Sequence, residues 1–311
     1  MNARFFWHLL RDSFNNWLED RAFRMGAALA YYSVFSMAPL LLIVIGVASQ
    51  IFNKEDARKH ILSEIATTVG QSASDSLEKI LEHAGGATSG IVATIIGVAV
   101  LLFGASGVFA ELQDALDNIW KVKPKPGLGL MAIVRNRLLS FAVVFGTGFL
   151  LLVSLVLSAA LAALGAWMDS VAPGMSWLWQ SLNGVLSFLV VALLFAMIFK
   201  TLPDAKIDWR DVWIGAVVTA ALFTIGKAGI GAYLGHSGLT ETYGTAGSVV
   251  VLLVWVYYSA LILLFGAEFT HVYALNTRRH VAPTELAVST AKPGDDEAAT
   301  APRRPDPTPS I

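Results

Sequence analysis

The chain has 311 residues, of which 55% are hydrophobic and 14% are charged, against roughly 25% charged residues in an average soluble domain. Its net charge is −1 and it has no cysteine, which excludes a global basic field for nucleic acid, disulfides, thiolate catalysis and Cys-ligated metal centres. The apolar residues form blocks of about 20 or more, the length that crosses a bilayer core of about 30 Å. We therefore expect an all-α, polytopic membrane helix bundle.

Residues 1–24 combine aromatic and aliphatic side chains with four arginines. They lack the compact apolar core and small-residue cleavage site of a signal peptide, so we do not expect this segment to be removed. The alternation instead predicts an amphipathic helix in the membrane interface. Its apolar members are Phe5, Phe6, Leu9, Leu10, Phe14, Trp17 and Leu18, and its arginines are Arg4, Arg11, Arg21 and Arg24.

Residues 25–276 are predicted to form a membrane domain with six transmembrane helices. The predicted spans are 27–52, 88–112, 138–164, 177–199, 212–234 and 247–274. Seventeen of the 22 Lys and Arg residues lie in the N-terminal segment, in the loops after the second and fourth spans, and in the C-terminal segment. Because six spans place all four segments on one side, the asymmetry predicts that both termini are cytoplasmic.

The 53–87 segment is long for a simple connection between two spans. Its apolar residues recur at helical spacing in two groups, one around Ile61 and one around Leu81. We therefore predict two short amphipathic helices that form an extracytoplasmic cap. A structural lid on the bundle is the favoured role, and a substrate gate is the alternative.

Residues 277–311 differ in composition from the membrane domain. They are rich in Ala, Thr, Asp and Pro, and six of the chain's 11 prolines lie in the last 29 residues. Such a composition cannot bury enough apolar surface to offset the entropy of ordering. It predicts a disordered cytoplasmic tail.

Three charged residues, Glu111, Lys227 and Glu268, fall within the predicted spans. Each costs about 2.5–3.5 kcal/mol on insertion scales, so each needs a partner or a role. One hypothesis pairs Lys227 with Glu268, and the other places Glu111 and Glu268 in a polar cluster with a basic loop residue. The charges then either lock helices together or line a substrate path, and the sequence does not decide between these roles.

Further features bear on a substrate path and on cofactors. The polar, glycine-rich 235–246 loop contains His236, Tyr243 and Gly244, which we take as a candidate outer gate. Pro39 removes a backbone donor within the first span and predicts a helix kink.

The six histidines show no metal-ligand spacing and no nucleotide-binding motif is present, so we expect neither a metal nor a cofactor.

Several segments together resemble the YihY/BrkB family of bacterial inner-membrane proteins. The resemblance implies a six-helix protein of the bacterial inner membrane and implies no defined activity or catalytic residue set. Members have carried a ribonuclease name and a virulence or serum-resistance name, and some have been connected with lipid export and envelope biogenesis. The matching segments are 27–33, 38–40, 115–120, 202–204, 243–247, 253–258 and 266–268.

The favoured function is the movement or handling of a lipid or other amphiphile in envelope biogenesis, by a protein that is not an enzyme. The alternative is a membrane scaffold that binds envelope-assembly proteins through the 53–87 loop or the tail. Ribonuclease activity is least favoured, because the basic residues are accounted for by topology and no acid–base cluster is present. We therefore expect membrane lipids, and no nucleic acid, as partners; the oligomeric state is left open by the sequence.

Overall fold

The computed structural model describes residues 3–48, 53–68, 71–85, 107–126, 176–236, 239–277, 282–285 and 287–290. These residues form eight helices and four short strands. The helices are α1 (Ala3–Glu19), α2 (Ala22–Ala48), α3 (Lys54–Thr68), α4 (Gln71–Gly85), α5 (107–119), α6 (Ser176–Thr201), α7 (Trp209–His236) and α8 (Leu239–Asn276). The strands are β1 (Val122–Pro124), β2 (Ala205–Lys206), β3 (Ala282–Pro283) and β4 (Ala287–Ser289).

Three helices in the described part of the chain are long and apolar enough to cross a membrane. They contain the candidate spans Gly184–Thr201, Trp209–Tyr233 and Val249–Asn276. These helices correspond to the last three predicted spans. Helix α2 covers most of the first predicted span, whereas the 138–164 span and most of the 88–112 span lie outside the described residues.

Helix α8 is the central element of the described bundle, since it packs against α1, α2, α4 and α7. Its contact with α7 is built from two matching Gly-x-x-x-Thr segments. Thr219 and Thr270 each donate a hydrogen bond of 2.7 Å to the glycine carbonyl four residues earlier, Gly215 and Gly266. Each threonine also fills the space that a side chain would need on the glycine of the other helix, because a Cβ added to either glycine would overlap the opposing hydroxyl. We call these four residues the Gly–Thr lock.

Helices α3 and α4 form a pair over one half of α8. Leu62, Leu77 and Leu81 pack with Leu252 of α8, and Arg58 lies 3.3 Å from Glu82. The two helices that the periodicity predicts in residues 53–87 are therefore present. Their position outside the membrane stays a prediction.

The other half of α8 packs against the N-terminal helix, and the chain that follows α8 pairs with two short strands. Leu9 of α1 packs with Phe269, Val272 and Tyr273 of α8. Strand β4 pairs antiparallel with β1, which follows α5, and β3 pairs antiparallel with β2, which follows α6. The described parts of the loops after the second and fourth predicted spans are thus joined to the described part of the C-terminal segment. Which side of the membrane they face stays a prediction.

The expectation of a disordered tail from residue 277 is wrong for residues 282–285 and 287–290. These residues lie in two small sheets, in which Val122 pairs with Ser289 and Ala205 pairs with Pro283. Composition did not reveal this order because the partners are strands in two distant loops, and Ala287 is 3% exposed against them. Residues 291–311 lie outside the described residues.

Candidate functional site

An ion pair joins the end of the first helix to the segment after α5, and the backbone is strained on both sides of it. The Lys121 ammonium lies 2.5 and 2.6 Å from the two carboxylate oxygens of Asp20. Arg21, next to Asp20, has φ 57°, and Lys121 itself has φ 52°. They are the two non-glycine residues with positive φ in the described part of the chain, and this conformation costs of order 1–3 kcal/mol each.

A buried carboxyl group lies beneath this ion pair. Glu268 of α8 is 0% exposed and faces Asp20 and Lys121. Its Oε2 lies 4.0 Å from Nδ1 of His271, one turn further along α8. Neither carboxyl oxygen has a hydrogen-bond donor among the described residues. Glu268 is thus a buried carboxyl group without a donor, next to the Asp20–Lys121 ion pair.

His271 is held by aromatic packing at the same site. Its ring lies edge-on to Trp120, with ring centroids 5.1 Å apart, and its side chain is 8% exposed. Lys121 and Asp20 are its charged neighbours. The residues between α5 and β1 therefore position both the ammonium and the aromatic wall of the buried site.

Above the ion pair an open cleft of about 400 Å³ lies between α1, α2 and α5. Its charged walls combine two arginines with four carboxyl groups, and partial desolvation in the cleft wall raises the pKa of Asp114 above its ordinary value. Asp20 lines this cleft and also faces the buried Glu268, so this one residue belongs to both sites. The lining residues are Glu19, Asp20, Arg21, Arg24, Met25, Glu111, Asp114, Ala115 and Asn118.

A second carboxyl group joins α5 to the α6–β2 connection. Asp117 accepts a 2.7 Å hydrogen bond from the backbone amide of Asp204, whose carbonyl accepts one of 2.9 Å from the Thr284 amide. Burial raises the pKa of Asp117 to about 7; the Asp204 amide opposes this shift, and the charges of Asp204 and Asp114 add to it. Two of the segments that carry the family resemblance, 115–120 and 202–204, thus contact each other.

The structure places the three predicted intramembrane charges in different surroundings. Glu111 lies in the cleft wall, and Glu268 lies beneath the cleft with Lys121, a basic residue of the 113–137 loop. Lys227 lies elsewhere, since the adjacent Gly226 faces Tyr258 and Ile262 of α8. These contacts lie six to ten residues before Glu268, or about 9–15 Å along the helix axis. This offset does not favour the Lys227–Glu268 pair, which stays a hypothesis.

The candidate outer gate does not lie in an open loop. His236 is the last residue of α7, and Tyr243 and Gly244 belong to the first turns of α8, which begins at Leu239. The predicted loop is wrong for residues 235–236 and 239–246, because polar residues lower the mean hydropathy of a window without ending a helix; residues 237 and 238 lie outside the described residues. Pro39 lies within α2, which continues as a helix to Ala48.

Sequence reasoning missed the residues that complete the site. Asp20, Lys121 and Asp204 lie outside the predicted spans, where charged residues are expected and give no distinguishing pattern. His271 follows Glu268 by three residues, and this i, i+3 spacing was the one local indication that both share a helix face. Among the described residues no group of three or more His, Asp or Glu side chains is arranged to hold a metal.

Comparison with known proteins identifies relatives along most of the chain. A UPF0761 membrane protein of Stenotrophomonas maltophilia (strain K279a) is 27% identical over 276 residues, which cover 86% of this chain and 59% of that protein. UPF0761 membrane proteins of Pseudoalteromonas translucida and Vibrio vulnificus (strain YJ016) are 27% and 26% identical, and the matches cover 82% and 86% of this chain and 82% of each relative. The chain thus spans about three fifths of the Stenotrophomonas relative.

No solved structure matches the chain significantly. The family profile described as "Virulence factor BrkB" matches residues 13–290, which include every residue of the cleft and of the buried site. The chain therefore belongs to the BrkB family of membrane proteins.

Proposed function

We propose that this protein moves or handles a lipid or other amphiphile of the bacterial inner membrane, and that it does so without catalysing a covalent reaction. The observation that carries the proposal is the open cleft between α1, α2 and α5, whose wall residue Asp20 also faces the buried Glu268. A charged cleft at the end of a membrane bundle suits a ligand with a polar headgroup and apolar chains.

The surroundings of the cleft support a membrane ligand. Helix α1 leads into it and exposes large apolar side chains, among them Trp7 at 67% and Phe14 at 50%. Aromatic residues with arginines are typical of a helix at headgroup depth. With both termini cytoplasmic, as the basic residues predict, the cleft opens at the cytoplasmic leaflet.

Reconstitution in liposomes with fluorescent phospholipids tests the proposal. Dithionite bleaches label in the outer leaflet, so lipid exchange appears as loss of the protected fraction. Wild-type protein is expected to speed exchange, and Arg24→Gln and Glu268→Gln are expected to slow it. Arg210→Gln is the matched control, because Arg210 is an exposed arginine of α7 outside the cleft.

The outcomes separate the two candidate functions. No exchange of any tested lipid by wild-type protein, with and without a proton gradient, contradicts the transport proposal and favours the membrane scaffold. Exchange that all three variants support equally would show transport by a route other than this cleft.

A further inference from the structure

We propose that the cleft between α1, α2 and α5 is a headgroup site for a zwitterionic aminophospholipid. Its phosphate would lie against Arg21 and Arg24, and its primary ammonium against the carboxylates of Glu19 and Asp114. This inference rests on the proposed function, since it names the ligand class that the cleft selects.

The balance of charge in the cleft carries the argument. Lys121 neutralises Asp20 by a two-oxygen contact, which leaves Glu19, Glu111 and Asp114 facing Arg21 and Arg24. A purely anionic headgroup would meet three carboxyl groups, and a purely cationic ligand would meet two guanidinium groups. A zwitterion matches both signs, because guanidinium binds phosphate through charge-assisted hydrogen bonds and carboxylates accept them from an ammonium group.

The cleft wall is rich in carboxyl groups. Glu19, Asp20, Glu111 and Asp114 line it, and Glu268, which is fully buried and outside the lining, faces Asp20 from the protein interior. A primary ammonium has three donors and can reach several oxygens at once, which a trimethylated ammonium cannot do.

An exposed apolar surface beside the cleft, which we call the apolar ledge, favours a lipid ligand over a soluble phosphoamine. Trp17 stacks on Phe14 and meets Phe23 edge-on, with ring centroids 5.7 and 4.7 Å apart. Phe14, Leu18 and Phe23 are 44–50% exposed, and Leu18 immediately precedes Glu19 of the cleft wall. Acyl chains can cover this ledge while the headgroup occupies the cleft.

Binding to the full chain in detergent tests the inference by native mass spectrometry. The probes are dioleoyl phosphatidylethanolamine, dioleoyl phosphatidylcholine and dioleoyl phosphatidylglycerol, with soluble phosphoethanolamine as competitor. We expect the ethanolamine lipid to bind about tenfold more tightly than the other two, a difference of about 1.4 kcal/mol. The soluble competitor should displace it only weakly.

Variants test which residues bind the ammonium and which bind the phosphate of the headgroup. Asp114→Asn should reduce binding of the ethanolamine lipid to the level of the choline lipid, whereas Arg24→Gln should weaken all three lipids. Arg210→Gln should leave the order unchanged, and equal melting temperatures show that each variant is folded. Asp114 and Arg24 are exposed, so neither substitution disturbs the core.

Several results would overturn the inference: equal binding of the three lipids, preference for the glycerol lipid, or unchanged selectivity in Asp114→Asn. Displacement by phosphoethanolamine as strong as by the lipid would reassign the cleft to a soluble ligand. This assay measures binding and not transport. Selective binding without lipid exchange in liposomes would therefore support the headgroup site and contradict the transport proposal.

Discussion

The Lys121 ammonium contacts both carboxylate oxygens of Asp20, at 2.5 and 2.6 Å, and thereby ties the α1–α2 turn to the end of α5. Removing the ammonium leaves Asp20 facing Glu268 without a counter-charge. Lys121→Met should therefore lower the free energy of unfolding by about 2 kcal/mol, between the values for exposed and buried pairs, because Lys121 is 40% exposed.

Thermal unfolding in detergent checks this expectation. The double variant Asp20→Asn, Lys121→Met should be more stable than Lys121→Met alone, since it also removes the carboxylate that lost its partner. A strictly additive double variant would contradict a direct Lys121–Asp20 interaction.

Glu268→Gln should be tolerated, whereas Glu268→Ala should not. The amide replaces a buried carboxyl group without donors by a neutral group of equal shape whose NH₂ can donate to Asp20. The alanine variant loses this contact and leaves a cavity in a fully buried position. Melting temperatures of the two variants, compared with wild type, measure the difference; a glutamine variant as unstable as the alanine variant would show that Glu268 needs its charge.

Asp117 should make stability depend on pH. Its pKa rises from 3.8 to about 7 on folding, so the folded protein binds more protons than the unfolded chain between these values. The contribution of Asp117 is thus fully present below about pH 4 and is lost as the pH rises through 7, with a slope of at most about 1.4 kcal/mol per pH unit. Denaturant unfolding of wild type and Asp117→Asn should show a difference that changes in this window. A pH-independent difference would mean that Asp117 ionises normally.

Gly266→Ala should destabilise the α7–α8 contact. The added Cβ would lie 2.7 Å from Cγ2 and 2.8 Å from Cβ of Thr219, and it would overlap the hydroxyl oxygen. Overpacking of this kind costs about 1–3 kcal/mol. Thr219→Ala introduced with Gly266→Ala should recover part of the loss, as measured by melting temperature. Gly229→Ala is the control, because nothing lies within 4 Å of its added Cβ.

Lys227→Met and Glu268→Gln should have additive effects on stability. The register of α7 and α8 separates Gly226, next to Lys227, from Glu268 by about 9–15 Å along the axis, and residues this far apart rarely couple. A double-mutant cycle on unfolding free energies should give an interaction energy within about 0.5 kcal/mol of zero. A larger value would support the hypothesis of a Lys227–Glu268 pair.

Hydrophobic runs predict α6, α7 and most of α8 because membrane spans need about 20 apolar residues. The start of α8 is missed because Thr240, Glu241 and Thr242 are polar, and hydropathy reports contact with lipid rather than continuity of a helix. The order of residues 282–285 and 287–290 is missed for a different reason. It depends on strand partners at Val122 and Ala205, more than 70 residues earlier, which no local pattern contains.

The candidate site, too, could be predicted from the sequence only in part. Glu268 stands out in the sequence because a charge within an apolar run is costly, whatever surrounds it. Its neighbours Asp20 and Lys121 do not stand out, since turns and loops commonly carry charges. Only the packing of α1 on the last turns of α8 brings Asp20 to Glu268, so the site follows from tertiary structure.

The Gly–Thr lock limits how the bundle can move. Each threonine occupies the gap over the opposing glycine, so α7 and α8 cannot shift past each other by one turn without driving a side chain into a backbone. We therefore expect α7 and α8 to move together as one rigid body. If this protein alternates access, this pair has to rotate as a unit against the neighbouring helices. Helices α1 and α2 would then have to move with it, and the turn at Asp20 and Arg21 joins them.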